Sequence, residues 1–382
     1  MSQHIAFVVN NYPPRVGGVE KHVGALAAQL VALGHRVTVF TVSDEPGVSV
    51  EGGVRVHRLP RRFPVADVIA FPPLGTTRRL TSALREQGVT VVSTHTRFFP
   101  LTWVGTRAAR RAGVPSIHTE HGSDYVRSPS RLVEFASRMV DRTFGRRALR
   151  RATRVLAVSK DAAAFVKRLS GRDSELFYNA IDLAEWSVPA SARPATPSHL
   201  VFVGRLVPGK GWDTFLAVCA GLQDTLRRRG VDAHVLGGGP DLDRCRQQVD
   251  ALGIADLVHV HGPADSSEVR ETLTGSVLVN ASVLAEGFGI TLLEAMAVGA
   301  QIVSYPVPAA PALLEHGAPV WLVDPPVVDA LTVEVANALE RPKPQVTDDV
   351  LDAWSWETRA REYAAIVDDV VGPSGESTDR VP

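Results

Sequence analysis

What most constrains the fold of this chain is an alternation of short apolar runs with helix-periodic segments that runs once, stops and starts again. Ile5–Val9 is a continuous apolar run and reads as a buried strand. After the loop Asn10–Gly18, a segment from about Val19 to Leu33 keeps its apolar positions Val23, Leu26, Ala27, Leu30 and Leu33 at helical spacing, with Gly34 as its stop. Arg36–Thr41 reads as the next strand. Strand, helix and strand with short links form the βαβ unit of a parallel sheet. Further strands are expected at Thr90–Ser93, Pro115–Thr119, Arg154–Val158 and Phe177–Asp182. The Pro/Ala/Ser-rich stretch Val188–Ser198 reads as a linker. The pattern then restarts at Leu200–Val203 and continues through Ala233–Leu236, Val258–Val260, Val277–Val279 and Gln301–Ser304. The expectation is two doubly wound α/β halves, residues 1–188 and 189–352, facing each other across a cleft, with ligands at the carboxyl ends of the strands. The polar tail, residues 373–382, reads as disordered.

A length of 382 residues agrees with two domains. The two cysteines, Cys219 and Cys245, have no metal-ligand spacing and exclude a disulfide scaffold. The start, MSQHIAFVVN, lacks the basic and long apolar regions of a signal peptide, and no uncharged apolar run reaches about 18 residues. A cytoplasmic protein, able to lie peripherally on the inner face of a membrane, is expected. The net charge of zero hides an asymmetry. Residues 1–190 carry 27 Lys+Arg and 15 Asp+Glu (27 − 15 = +12), which leaves 14 and 26 (−12) for residues 191–382. A basic half prefers anionic surfaces such as lipid headgroups, phosphorylated acceptors or nucleic acid.

The segment Ala285–Ala297 is the densest in chemistry. Glu286 precedes a turn containing Gly287 and Gly289, Thr291 opens a run of helix formers, and Glu294 lies within it. Backbone amides at a helix start suit a phosphate, and flanking carboxylates can hold sugar hydroxyls. The plainer alternative is a capped helix entering a core. Arg205 and Lys210, on the glycine-containing loop after Leu200–Val203, could clamp a diphosphate or be solvated loop cations. Gly17-Gly18 sits between the first strand and first helix but is not GxGxxG. Asp241-Leu242-Asp243 has the DxD pattern of a metal site, yet its place after Gly237–Pro240 fits a helix start better. His118 and His121 lie at a strand end, where an imidazole can donate to a hydroxyl or move a proton, or simply be buried and satisfied. From Arg127 to Arg154 the chain has nine Arg against Glu134 and Asp141, and Leu132, Phe135, Ala136, Met139, Val140 and Thr143 keep helical spacing. That is a basic amphipathic helix suited to an anionic membrane, or one whose apolar face packs on the sheet.

Together these segments resemble retaining glycosyltransferase family four. The resemblance is carried by Tyr12–Glu20, Thr119–Asp124, Asn179–Asp182, Phe202–Leu206 with Lys210-Gly211, Gly237–Pro240, Glu286–Gly289 through Glu294, and Ala353–Glu357. It implies the GT-B fold, with a last helix from about residue 353 to 372 returning to the N-terminal domain. It also implies transfer of a hexosyl group from a UDP- or GDP-sugar, with no metal or other cofactor. By it, Gly17, with Gly18 beside it, approaches the diphosphate, and Arg205 and Lys210 clamp it. Glu286 holds donor-sugar hydroxyls and Glu294 the ribose hydroxyls. Phe288, Gly289 and Ile290 face sugar and phosphate through their backbone, ahead of Thr291, and His121 rather than His118 stands near the sugar. The implied catalytic set is His121, Glu286, Arg205 and Lys210, acting by same-face substitution through an oxocarbenium-like state. One departure is plain: where the family has a Gly-Gly-x-Pro-Glu loop, this chain has Val307–Ala312, without the glycines or the acid. The expected acceptor is a glycan, a lipid or a phosphorylated small molecule, with an anionic membrane contacted through Arg131–Arg154 and no nucleic acid bound. A sugar-nucleotide epimerase of the same fold is the alternative.

Overall fold

The computed structural model describes residues 2–372 except 16, 66–68, 127–129, 190–193, 195 and 343–345. The tail 373–382, much of the Val188–Ser198 stretch, Val16 and Arg127 therefore lie outside the described residues. The chain divides into two compact units, Met1–Asn179 with Trp356–Pro382, and Ala180–Ser355.

In the first unit the strands are β1 (His4–Val8), β2 (Arg36–Ser43), β3 (Gly47–Glu51), β4 (Val54–Pro60), β5 (Arg62–Val65), β6 (Ile69–Phe71), β7 (Val91–His95), β8 (Ser116–Glu120), β9 (Arg154–Ala157) and β10 (Glu175–Leu176). Eight of them form one sheet in the order β10-β9-β8-β7-β1-β2-β4-β3, parallel except for the edge pair β3–β4; β5 and β6 form a small antiparallel ribbon. All five residues of β1, β7 and β8 are buried, as expected for parallel strands covered on both faces. The helix Gly18–Ala32 buries Val23, Leu26, Ala27 and Leu30. The last helix, Trp356–Val371, belongs to this unit and buries Trp356, Ala360, Tyr363 and Val367, a single stripe at helical spacing. Its Asp368 accepts a hydrogen bond from Gln3 at 3.0 Å.

The second unit contains β11 (His199–Val203), β12 (Asp232–Leu236), β13 (Val258–Gly262), β14 (Val277–Asn280), β15 (Gln301–Ser304) and β16 (Val320–Leu322). They form one parallel sheet, β13-β12-β11-β14-β15-β16. Its core gathers Leu200, Phe202, Trp212, Phe215, Val235 and Val279. The unit begins at Ala180, ahead of Val188–Ser198, because the chain has already paired with it: Ile181 N–H donates to Trp354 O at 2.9 Å and bridges Ser355. Phe177–Asp182 is accordingly not a strand of the first sheet, whose edge strand ends at Leu176.

Both sheets have a point where strand order reverses. In the first it lies between β1 and β7, in the second between β11 and β14, and crevices for ligands form at the carboxyl ends of such neighbours. The expected site residues lie on loops at these ends, treated unit by unit below.

Candidate active site

In the second unit, three loops after adjacent strands are stitched together by their backbones. Gly204 N–H donates to Leu236 O at 3.0 Å, Leu206 N–H to Gly238 O at 2.9 Å, and Val283 N–H to Gly209 O at 2.9 Å. Glycine is required where the chains cross. Gly211 has φ +87°, and a Cβ there would lie 2.3 Å from Ala281 O; Gly237 has φ +146°, and its Cβ would lie 1.8 Å from Gly204 O. This stitching brings Lys210 and Glu286 together, 76 positions apart in sequence, with Nζ 2.9 Å from Oε1. Both are largely but not fully covered, at 21% and 15% side-chain exposure. Arg205, on the same loop, is exposed.

The turn after Glu286 folds as its glycines require. Gly289 has φ +103°, and Phe288 is buried against Trp354 with ring centroids 6.0 Å apart. The helix is Thr291–Ala297, and Glu294 lies in its first turn. The first helical bonds are donated by Leu292 and Leu293, so the N–H groups of Ile290 and Thr291 are not used within the helix. Val307–Ala312 adjoins this turn. Ala309 N–H donates to Phe288 O at 2.8 Å, and Val307 and Ala309 pack beside Gly289, so apolar side chains fill this space. Asp241 flanks the helix Leu242–Ala251 and accepts from Trp212 Nε1 at 3.2 Å, which gives it a structural role.

In the first unit, Gly17 immediately precedes the helix Gly18–Ala32 in extended conformation. A Cβ there would come within 2.3 Å of Glu20 Oε2, so the buried Glu20 carboxylate excludes any side chain. His118 and His121 part company. His118 is fully buried within β8, bonded to Thr94 Oγ1 at 3.1 Å and to Glu120 Oε2 at 3.4 Å, a satisfied interior group. His121, just beyond β8, is only half-buried, and its Nε2 lies 3.0 Å from His95 Nδ1. His22, on the first helix, packs edge-on against His121 with centroids 4.7 Å apart, and its Nδ1 lies 2.8 Å from Asn179 Oδ1.

His22 and His95 were not among the expected site residues. His95 could have been found as one more polar residue at the end of an apolar strand. His22 carries no local signal, because a helical position faces a site only once tertiary packing is known. Burial pushes all three imidazoles towards the neutral form, His22 to about 4 and His95 and His121 well below 6.5, with neighbouring rings adding to the effect at His95 and His121. One nitrogen from each ring lies within 4.8 Å of the others, making this the one group among the described residues that could hold a metal ion.

The loop carrying His121 is anchored by Arg97, which is 0% exposed. Its guanidinium donates to Glu120 Oε1 and to Asp141 Oδ2, both at 2.9 Å, and to Asp124 O at 3.0 Å. Burial alone would raise the Glu120 carboxyl, but Arg97, His118 and the Gly122 N–H together hold it at about 2. Thr96, between His95 and Arg97, has φ +60°, a strained conformation for a β-branched residue.

Asp141 begins a π-helical turn, Asp141–Gly145, that follows the helix Arg131–Val140. The sequence left open whether the apolar face of that helix packs on the sheet. It does not: no residue of Arg131–Val140 is buried, Leu132 is 77% and Phe135 64% exposed, and Met139 and Phe144 are exposed as well.

The model of Glycosyltransferase Family 4 matches residues 16–185, and that of Glycosyl transferases group 1 matches residues 187–348. A phosphatidylinositol N-acetylglucosaminyltransferase from Arabidopsis thaliana is 30% identical over 81% of this chain and 69% of its own length. A GDP-mannose-dependent alpha-(1-6)-phosphatidylinositol monomannoside mannosyltransferase of Mycolicibacterium smegmatis is 26% identical over 94% and 97%. Among solved structures, sucrose-phosphate synthase from Thermosynechococcus elongatus superposes with a TM-score of 0.73 at 20% identity, covering 96% of this chain and 98% of that one.

Proposed function

The chain belongs to glycosyltransferase family 4, with the GT-B fold, and from that premise we propose that it moves a hexosyl group from a UDP- or GDP-sugar to a hydroxyl of an anionic or lipid-linked acceptor, with retention and without a metal. The observation that carries this reading is the Lys210–Glu286 pair, 2.9 Å apart at the reversal point of the second sheet. Lys210, with Arg205, meets the diphosphate as negative charge develops on it, which is where preorganised cations lower a barrier most. Glu286, oriented by Lys210, accepts from hydroxyls of the donor sugar, and Glu294 accepts from the ribose. The backbone N–H groups of Gly289, Ile290 and Thr291 supply further donors. The bond from the anomeric carbon to the diphosphate oxygen breaks with its electron pair on the oxygen. The acceptor oxygen bonds to the same face, and its proton passes to the departing phosphate.

The acceptor reading rests on charge and kinship. Two relatives are named for phosphatidylinositol substrates, which makes a phosphoinositide or inositol phosphate the first acceptor class to test. The exposed apolar residues of Arg131–Val140, with Arg131, Arg138 and Arg142 alongside, suit an anionic membrane surface. No helix among the described residues is long and apolar enough to cross a membrane.

The test begins with a thermal-shift screen of UDP-, GDP- and ADP-sugars, since a ligand raises apparent stability by mass action. NMR of the anomeric proton during transfer to inositol phosphate and phosphatidylinositol follows. Lys210→Met and Glu286→Gln should each lose about 100-fold or more in kcat while staying folded. Full activity in both variants, or turnover of the sugar nucleotide without any acceptor, would overturn the reading.

A further inference from the structure

A chain of hydrogen bonds runs from the C-terminal helix to His121. Tyr363 Oη lies 2.7 Å from Ser93 Oγ, Ser93 Oγ lies 3.1 Å from His95 Nε2, and His95 Nδ1 lies 3.0 Å from His121 Nε2. We propose that Tyr363 and Ser93 act through His95 as positioning residues that fix the tautomer of His121, so that His121 presents Nδ1–H to an oxygen of the substrate. The proposal rests on the transferase reading for what His121 does, and on geometry alone for which nitrogen carries the proton.

The direction of the chain follows from its buried end. Tyr363 is fully buried, and Ser93 Oγ is the acceptor its hydroxyl has among the described residues. Reversing the bond would leave a buried O–H without an acceptor, a loss of about 1–3 kcal/mol. Tyr363 therefore donates to Ser93. Ser93, its oxygen accepting from Tyr363, turns its own proton towards His95 Nε2. A neutral imidazole carries one proton, so His95 must hold it on Nδ1 and donate to His121 Nε2. That leaves Nδ1 as the protonated nitrogen of His121, a donor and not a general base.

Neutrality of the rings is a condition of this reasoning, and the surroundings supply it. His95 and His121 are faced by His22 and His118 and are held below the ordinary histidine range, with Glu120 opposing the effect weakly at His121. Ring orientation is fixed as well. Phe7 of β1 stacks on His95, with centroids 5.8 Å apart, and on Tyr363, at 6.2 Å. A metal ion among His22, His95 and His121 is a competing use of the same nitrogens. It would need lone pairs where the relay has a proton between His95 and His121.

The experiment uses the full chain with 15N-labelled histidine and long-range proton–nitrogen correlation at pH 7.5, assigned with His121→Gln. The expected wild-type result is Nδ1–H on both His95 and His121, the tautomer that free imidazole side chains disfavour in water. Ser93→Ala should move both rings towards Nε2–H. It should also lower kcat about 10-fold, the equivalent of one hydrogen bond to a reacting oxygen, with KM for the sugar nucleotide unchanged. Ser93→Thr, which keeps the hydroxyl, should restore both readouts. Tyr363→Phe retains the stacked ring and should give a mixture of tautomers, so it carries the test if Ser93→Ala folds poorly. An Nε2–H signal on wild-type His121, ring shifts unmoved in Ser93→Ala and Tyr363→Phe, or zinc-dependent loss of the His95 Nδ1 proton at stoichiometric metal would each overturn the proposal. Because the nitrogen shifts need no turnover, a failure of the transferase reading would be seen separately.

Discussion

Replacing Arg97 by Met should cost the first unit more stability than any surface change, and in a pH-dependent way. Arg97 is wholly buried between Glu120 and Asp141, which are buried too. Met keeps the length and apolar stem but leaves two buried carboxylates facing each other without a cation. Removing one partner of a buried charge pair costs about 3–5 kcal/mol. The Glu120 carboxyl gives the same scale from its titration: held at about 2 instead of 4.5, it corresponds to about 3 kcal/mol. For a unit of this size such a loss lowers Tm by about 10 °C. The sign follows from the direction of each shift. In the wild type the carboxyl is depressed, so its contribution is complete above 4.5 and disappears as pH falls towards 2. In Arg97→Met burial acts without its main opposition and the carboxyl rises, so the variant recovers stability as pH falls. The gap in Tm between wild type and variant, followed by circular dichroism, should therefore narrow from pH 7.5 to pH 5. A gap under about 3 °C at pH 7.5, or one that widens towards acid, would refute this account of the buried triad. Arg97 also holds Asp124 O in the loop that carries His121, so transfer should fall in the variant even below its Tm.

Gly211→Ala combines a positive φ with a backbone clash at Ala281 O and should cost about 2 kcal/mol or more together with sugar-nucleotide affinity, measured by thermal shift with and without UDP or GDP. Stability supplied by the neutral His22 is complete above its ordinary value near 6.5 and lost as pH falls through about 4; Tm should decline over that window, and less so in His22→Gln. Transfer activity should survive dialysis against EDTA, and restoration of lost activity by zinc or magnesium would contradict metal-independent leaving-group stabilisation. Leu132→Asp with Phe135→Asp, both on an already exposed face, should leave Tm within about 1 °C yet abolish flotation with anionic liposomes; equal flotation of wild type with neutral liposomes would count against the electrostatic part.

Much of the sheet could be read from the chain, because strands buried on both faces are unbroken apolar runs. Ile5–Val8, Leu200–Val203 and Val277–Val279 stand out for that reason alone. The β3–β4 hairpin did not stand out, since β3 is an edge strand with most of its side chains in water and no apolar run to show. The π-helical turn at Asp141 was equally silent; it is a local insertion held by Arg97, 44 positions away. For the site, Gly17, Arg205, Lys210, Glu286 and Glu294 were legible because glycines and charges cluster at strand ends.

By itself the sequence determined that the chain makes two parallel α/β units and that its charged and glycine-rich loops lie where such sheets bind ligands. Periodicity and turn chemistry are local properties and are written in consecutive residues. Only the tertiary structure decided that Lys210 meets Glu286, that the Arg131–Val140 helix turns its apolar side outward, that His118 is structural while His121 is open, and that Tyr363 of the last helix reaches Ser93. Each of these is set by residues far apart in sequence, through the way helices and loops pack onto the sheet, which no local pattern encodes.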